Sequence, residues 1–103
     1  MSKRLEVLLK NLEKNPKDSF TRYAIALEYR TANDIEKAIN MLEALQKDDP
    51  NYVSLYYQLG EIYAKRGEAE KAKVTYKAGI LAAIQTTDFH AQAELENFLK
   101  ELN

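Results

Sequence analysis

The chain contains no cysteine. That single absence excludes disulfides, thiolate zinc sites and cysteine nucleophiles. Histidine is nearly missing as well. His90 stands alone, so no His-based metal cluster or His pair exists. Glycine occurs three times and proline twice in 103 residues, and no glycine-rich loop of the phosphate-binding kind is present. Long hydrophobic runs are absent. The apolar stretch VLL near the start is too short for a secretory core, no small-residue cleavage site follows it, and nothing approaches a membrane span. Neither sign of charge dominates: 15 Lys and Arg face 16 Asp and Glu, a net charge of -1. Such a chain has no global field to draw in nucleic acid or an anionic membrane. Lysines around 14–17 and 71–77 are interrupted by acidic or apolar residues, so they form no basic patch. The expectation is a cytoplasmic chain without metal or cofactor, partnered by neither nucleic acid nor membrane.

What remains is a helix-forming composition. The chain is 46% hydrophobic and 30% charged, rich in Glu, Lys, Leu and Ala, the profile of a folded protein of about one domain. Apolar residues recur at helical spacing in six segments, with no strand-like alternation. The first spans about 3–14, with Leu5, Leu8, Leu9 and Leu12 on one stripe, and stops at Asn15-Pro16. The second spans about 19–32, with Asp18 as its N-cap. Asn33-Asp34 makes a turn into the third, about 35–47. Asp49-Pro50-Asn51 is a stop and restart. The fourth spans about 52–66, with Gly67 at its C′ position, and the fifth runs from near Glu68 to Gln85. Thr86-Thr87-Asp88 breaks the pattern before the sixth, about 89–102, whose stripe is Ala91, Leu95, Phe98, Leu99 and Leu102. Connections this short force neighbouring helices antiparallel. The fold class is therefore all-α, with about six helices.

These segments repeat. Setting TRYAIALEYRTANDIEKAINML against LYYQLGEIYAKRGEAEKAKVTY pairs Ile25 with Leu59, Ala26 with Gly60, Tyr29 with Tyr63, Ala38 with Ala72 and Leu42 with Tyr76, all at an offset of 34. Pro16 and Pro50 share it. A 34-residue helix–turn–helix period with a Leu-Gly, Tyr, Ala, aromatic and Pro pattern resembles the tetratricopeptide repeat family. The better unit, 53–86, has Tyr56 at the Trp site, then Leu59-Gly60, Tyr63, Ala72 and Tyr76. The other, 19–52, departs with Arg22 at the aromatic site and Ala26 at the glycine site. A single helix at 3–15 precedes them. The last helix, 88–102, fits poorly as a further first half and reads as a cap on the fifth. Ile84 replaces the repeat-ending proline, so the fifth helix is expected to run long. Gly60 is expected to let the fourth and fifth helices approach near Ala72, with Tyr56, Tyr63 and Tyr76 packed around it.

The resemblance implies a single right-handed stack of antiparallel helix pairs, an α-solenoid over 1–103. It also implies a non-enzymatic adaptor that binds a peptide or protein segment in a concave groove lined by the first helix of each pair. The groove positions would be Phe20, Tyr23, Leu27, Arg30 and Thr31 in one unit, and Ser54, Tyr57, Glu61, Ala64 and Lys65 in the other. Phe20, Tyr23 and Tyr57 lie off the core stripe beside Arg and Lys, which suits a recognition surface. The Lys and Asn pattern that some family members use to clamp a C-terminal carboxylate is absent. The remaining candidates are weak: His90 reads as packing or surface, Ser2, Ser19 and Ser54 have no identifiable base, and the charges at 34–37 and 68–71 read as solvated helix starts. The alternative function is self-association, a homodimer or stack through the apolar stripes of the terminal helices.

Overall fold

A computed structural model describes residues 2–102. Six α-helices form: α1 (Lys3–Lys14), α2 (Ser19–Thr31), α3 (Ile35–Asp48), α4 (Ser54–Lys65), α5 (Ala69–Gln85) and α6 (Phe89–Glu101). No strand occurs among the described residues. The helices group into two compact units, α1–α3 through Asp49 and α4–α6 from Pro50 onward. Within the first, α2 packs against both α1 and α3. Within the second, α5 packs against both α4 and α6.

The caps explain the boundaries. The Asp18 carboxylate accepts from the Thr21 amide at 2.9 Å and from its hydroxyl at 2.5 Å, which fixes the start of α2. Asp88 does the same for α6, accepting from the Ala91 amide at 3.0 Å. Asp34 and Glu68 occupy N-cap positions without making a side-chain cap bond. They turn instead to Lys37 and Lys71, each at 3.6 Å. α4 begins later than expected, at Ser54. Residues 52 and 53 first make i→i+3 bonds, Tyr52 O to the Leu55 amide and Val53 O to the Tyr56 amide, a tightened turn at a helix end.

Three connections share one geometry. Each is three residues long, and its middle residue adopts a left-handed conformation: Asn33 at φ 62°, Gly67 at φ 78° and Thr87 at φ 52°. The next amide then reaches back five residues, from Asp34 to Tyr29 O (2.8 Å), Glu68 to Tyr63 O (2.9 Å) and Asp88 to Ala83 O (2.8 Å). This is the Schellman arrangement. Asn and Gly tolerate it, whereas β-branched Thr87 is strained there. So α6 is joined to α5 as tightly as α5 is to α4. The long α5, 17 residues against 14 in α3, replaces the proline-containing connection with this sharp turn.

The 34-residue period is visible in side chains as well as in the pattern. Lys37 sits over the Tyr29 ring and Lys71 over the Tyr63 ring, both at 5.5 Å from the centroid. Such cation–π contacts contribute about 0.5–1 kcal/mol at exposed sites. The charges at these helix starts thus hold the turn to the preceding helix. Where the units differ, the structure supplies the reason. Buried Tyr56 donates its hydroxyl to Pro50 O at 2.5 Å. Its counterpart Arg22 reaches Asp48 at 3.0 Å instead, and the neighbouring Ser19 hydroxyl donates to Asp49 at 2.5 Å, so polar contacts tie α2 to the end of α3.

The core of the first unit is Leu5, Ala24, Ile25, Ala26, Ala38, Ile39, Leu42 and Leu45. In the second, Leu55, Tyr56, Leu59, Tyr63, Ala72, Tyr76, Ala83 and Leu95 are buried. Gly60 does mark a close approach, and of the tyrosines expected around it the Tyr76 ring lies nearest. A Cβ built on Gly60 would lie 2.7 Å from Tyr76 Cζ and 2.8 Å from Cδ1. Gly79 is its partner on the other helix: a Cβ there would meet Tyr56 Cβ at 2.6 Å. Each helix thus presents a glycine to the other's tyrosine, a reciprocal contact that any side chain would push apart.

Candidate functional site

On α2, Phe20, Tyr23, Leu27 and Arg30 share one face, because their spacing of three, four and three residues is the helical repeat. Phe20 is 64% exposed, while Tyr23, Leu27 and Arg30 are half-buried. Thr31 is exposed at the end of the same helix. Asp18 and Thr21 fix where the helix begins, and buried Ala24 and Ile25 fix which face turns inward, so this face is turned away from the core of the unit.

On α4, Tyr57, Glu61 and Lys65 recur every four residues and also share a face, flanked by exposed Ser54 and half-buried Ala64. Glu61 and Lys65 form an ion pair at 3.8 Å. Tyr57 is not a lone surface ring. It donates its hydroxyl to Glu94 Oε1 at 2.7 Å, and Phe98 meets it edge-on at 6.0 Å between centroids. Burial first, then the Glu94 hydrogen bond and the charges of Glu94 and Asp88, push the Tyr57 hydroxyl pKa well above its ordinary value. The last helix therefore reaches across to α4 as well as capping α5, where the Phe98 ring lies tilted against Tyr76 at 5.7 Å between centroids.

Between α4 and α6 lies an open cleft of about 440 Å³, with Tyr57, Glu61 and Ala64 on one wall, Phe98, Glu101 and Leu102 on the other, and Tyr76 of α5 at its base. Its size falls within the range of pockets that accept small ligands or a few side chains. The sequence reading does not place Glu94, Phe98 or Glu101 at a binding site. Phe98 sits on the apolar stripe of the capping helix, which by pattern alone serves packing on α5 or self-association. Asp88 as an N-cap was the available signal that α6 starts a fresh helix turned back on its neighbours. His90 is 85% exposed and lies 3.2 Å from Glu94, at the surface. Among the described residues there is no group of three or more His, Asp or Glu arranged to hold a metal ion, and no helix long and apolar enough to cross a membrane.

The profile of the tetratricopeptide repeat family matches residues 29–95. The chain belongs to the tetratricopeptide repeat family. A TPR repeat-containing protein of Pseudomonas aeruginosa is 27% identical over 99 residues, covering 96% of this chain and 94% of that protein. The solution structure of a tetratricopeptide repeat domain protein from Salinibacter ruber superposes with a TM-score of 0.82 at 32% identity, over 86% of this chain and 90% of the other. YrrB, described as a TPR protein with an unusual peptide-binding site, superposes at 0.68 with 17% identity, over 96% of this chain and 58% of its own. At that identity the likeness is one of fold. Tetratricopeptide repeat proteins are generally non-catalytic scaffolds for protein interaction.

Proposed function

We propose that this chain is a non-enzymatic protein-interaction module, an adaptor that binds a peptide or protein segment on the faces of α2 and α4 that the repeat register assigns to the groove. The observation that carries the reading is the aromatic pair Tyr23 and Tyr57, one in each unit, 34 residues apart and both only half-buried. Exposed Phe20 extends the first and Phe98 the second. Aromatic side chains partly open to water, beside Arg30 in one unit and Glu61 and Lys65 in the other, have the composition of interface hot spots. A few such anchors support reversible binding of modest affinity. YrrB, which shares the fold, carries a peptide-binding site. The contact residues in this reading are Phe20, Tyr23, Leu27, Arg30, Tyr57, Glu61 and Lys65.

The test is quantitative affinity capture from the native lysate with mass spectrometry, run beside a Tyr23→Ala/Tyr57→Ala double variant whose folding is verified by circular dichroism. Partners retained by the wild type should be lost from the variant. Equal capture by both proteins would refute the assignment.

A second reading, self-association, is favoured by one observation. Val7 of α1 is exposed, and Leu8, Leu9 and Leu12 beside it are only half-buried, as are Phe98, Leu99 and Leu102 of α6. Size-exclusion chromatography with light scattering decides it: a strict monomer at high concentration removes the homodimer.

A further inference from the structure

We propose that the cleft between α4 and α6 takes a short cationic segment of a partner protein, seating an apolar side chain against Tyr57, Tyr76 and Phe98 while flanking Lys or Arg side chains meet Glu61 and Glu101. The inference rests on the interaction-module reading and adds the chemistry of the partner.

Three features of the cleft point the same way. The first is its shape and lining. The aromatic rings of α4, α5 and α6 converge on one opening of about 440 Å³. Phe98 touches both tyrosines, at 6.0 Å and 5.7 Å between centroids, so the three rings form one fixed apolar floor. The second is the sign of the rim. Glu61 stands on one wall and Glu101 on the other, and they are the charged residues that line the cleft. Lys65, which does not line the cleft, lies 3.8 Å from Glu61 and offsets part of its charge. Other carboxylates act on Tyr57, since Glu94 and Asp88 both raise the cost of ionising its hydroxyl. The third is the way rings and carboxylates combine. A guanidinium or ammonium is attracted by a carboxylate and by an aromatic face alike. An anionic segment would meet like charges at the rim, which costs affinity and slows encounter.

The preference belongs to this unit and not to the repeat in general. At the positions equivalent to Glu61 and Ala64, the first unit has Leu27 and Arg30, so its corresponding face carries no such acidic rim. Lys71 of α5 pairs with Glu68 at 3.6 Å and Lys73 with Glu70 at 3.5 Å, and none of the three lysines of α5, Lys71, Lys73 and Lys77, lines the cleft.

The test uses two fluorescein-labelled, C-terminally amidated hexapeptides with the same apolar residues and opposite charge, Arg-Leu-Lys-Phe-Arg-Leu and Glu-Leu-Glu-Phe-Glu-Leu, titrated with the full chain by fluorescence anisotropy. The cationic peptide should bind at least about tenfold more tightly than the anionic one, and added salt should erode the difference. Glu61→Gln/Glu101→Gln, at two exposed positions that leave the core intact, should weaken the cationic peptide by about tenfold, since each exposed pair accounts for up to about fivefold. Anionic binding that is equal or tighter, and is lost in Tyr57→Ala, overturns the cationic preference but leaves the interaction face standing. Cationic binding unchanged by the double Gln variant would be nonspecific and overturns the inference. If neither peptide binds while lysate capture still depends on Tyr23 and Tyr57, the inference fails and the interaction-module reading survives. If capture is also independent of those tyrosines, both fail.

Discussion

Replacing Gly60 with alanine sets two physical effects against each other in one measurement. Helix propensity favours alanine in a helix interior by about 1 kcal/mol. The packing opposes it. The new methyl would lie 2.7 Å from Tyr76 Cζ, well inside van der Waals contact. The ring has little room to retreat, because Tyr76 is 5% exposed and the Phe98 ring packs against it at 5.7 Å between centroids. Overpacking of a tight site costs about 1–3 kcal/mol, and here the flat face of an aromatic ring must shift together with its neighbours. With contact strain at the upper half of that range, the net effect is a loss of about 1–2 kcal/mol, or roughly 5–10 °C in melting temperature for a domain of this size. Thermal and urea unfolding followed by far-ultraviolet circular dichroism reads it directly. The equivalent residue of the first unit supplies the control. Ala26 is fully buried, so Ala26→Gly should lose stability through propensity and the missing methyl. A Gly60→Ala protein stabilised by the full propensity gain of about 1 kcal/mol would refute the close-packing argument.

Other perturbations follow from single contacts. Thr87 is held at φ 52°, so Thr87→Gly should relieve left-handed strain and raise stability by about 0.5–1 kcal/mol in urea unfolding, whereas Thr87→Val should give no gain. Folding raises the Tyr57 pKa above its ordinary value of 10.0, so the stability it contributes is complete below that pH and is lost as pH rises beyond it. Tyr57→Phe should therefore flatten the alkaline decline in melting temperature, and an unchanged decline would contradict the Glu94 contact. Asp18 is shifted the other way. The Thr21 hydroxyl and amide hold its carboxyl below the ordinary 3.8, so its stabilisation is present above that pH and disappears as pH falls further. Asp18→Ala should lower the urea midpoint near neutrality and converge with wild type in strong acid.

The elements that were legible in the sequence are those written in local chemistry. Asp18, Asn33, Gly67 and Asp88 act on their own turns, so pattern and capping place the helix boundaries within a residue or two. The 34-residue offset gave the family before any coordinate, because small residues at fixed spacing record where helices touch. Long-range choices were less visible. Gly60 signals a close approach with Tyr76 among its neighbours, but only the fold shows that this ring lies nearest and that Gly79 answers it from the other helix. Arg22 at an aromatic site looked like a lapse in the pattern, and it is tied to Asp48, a partner 26 residues away in sequence. The cleft escaped for the same reason. Its second wall comes from α6, whose Phe98 is both core and surface, and helical periodicity cannot divide one ring between two roles. The interaction residues on α2 and α4 rest on the repeat register, since an exposed aromatic has the same sequence signature whether or not it meets a partner.

The central claim is that partners bind the faces of α2 and α4 bearing Tyr23 and Tyr57. Hydrogen–deuterium exchange on the full chain, with and without a captured partner, tests it most directly. The account predicts added protection in the peptides carrying Phe20 to Arg30 and Tyr57 to Lys65, with the outer face of α5 around Val74 and Leu81 unchanged. Protection confined to that outer face, with α2 and α4 exchanging as in the free protein, would contradict it.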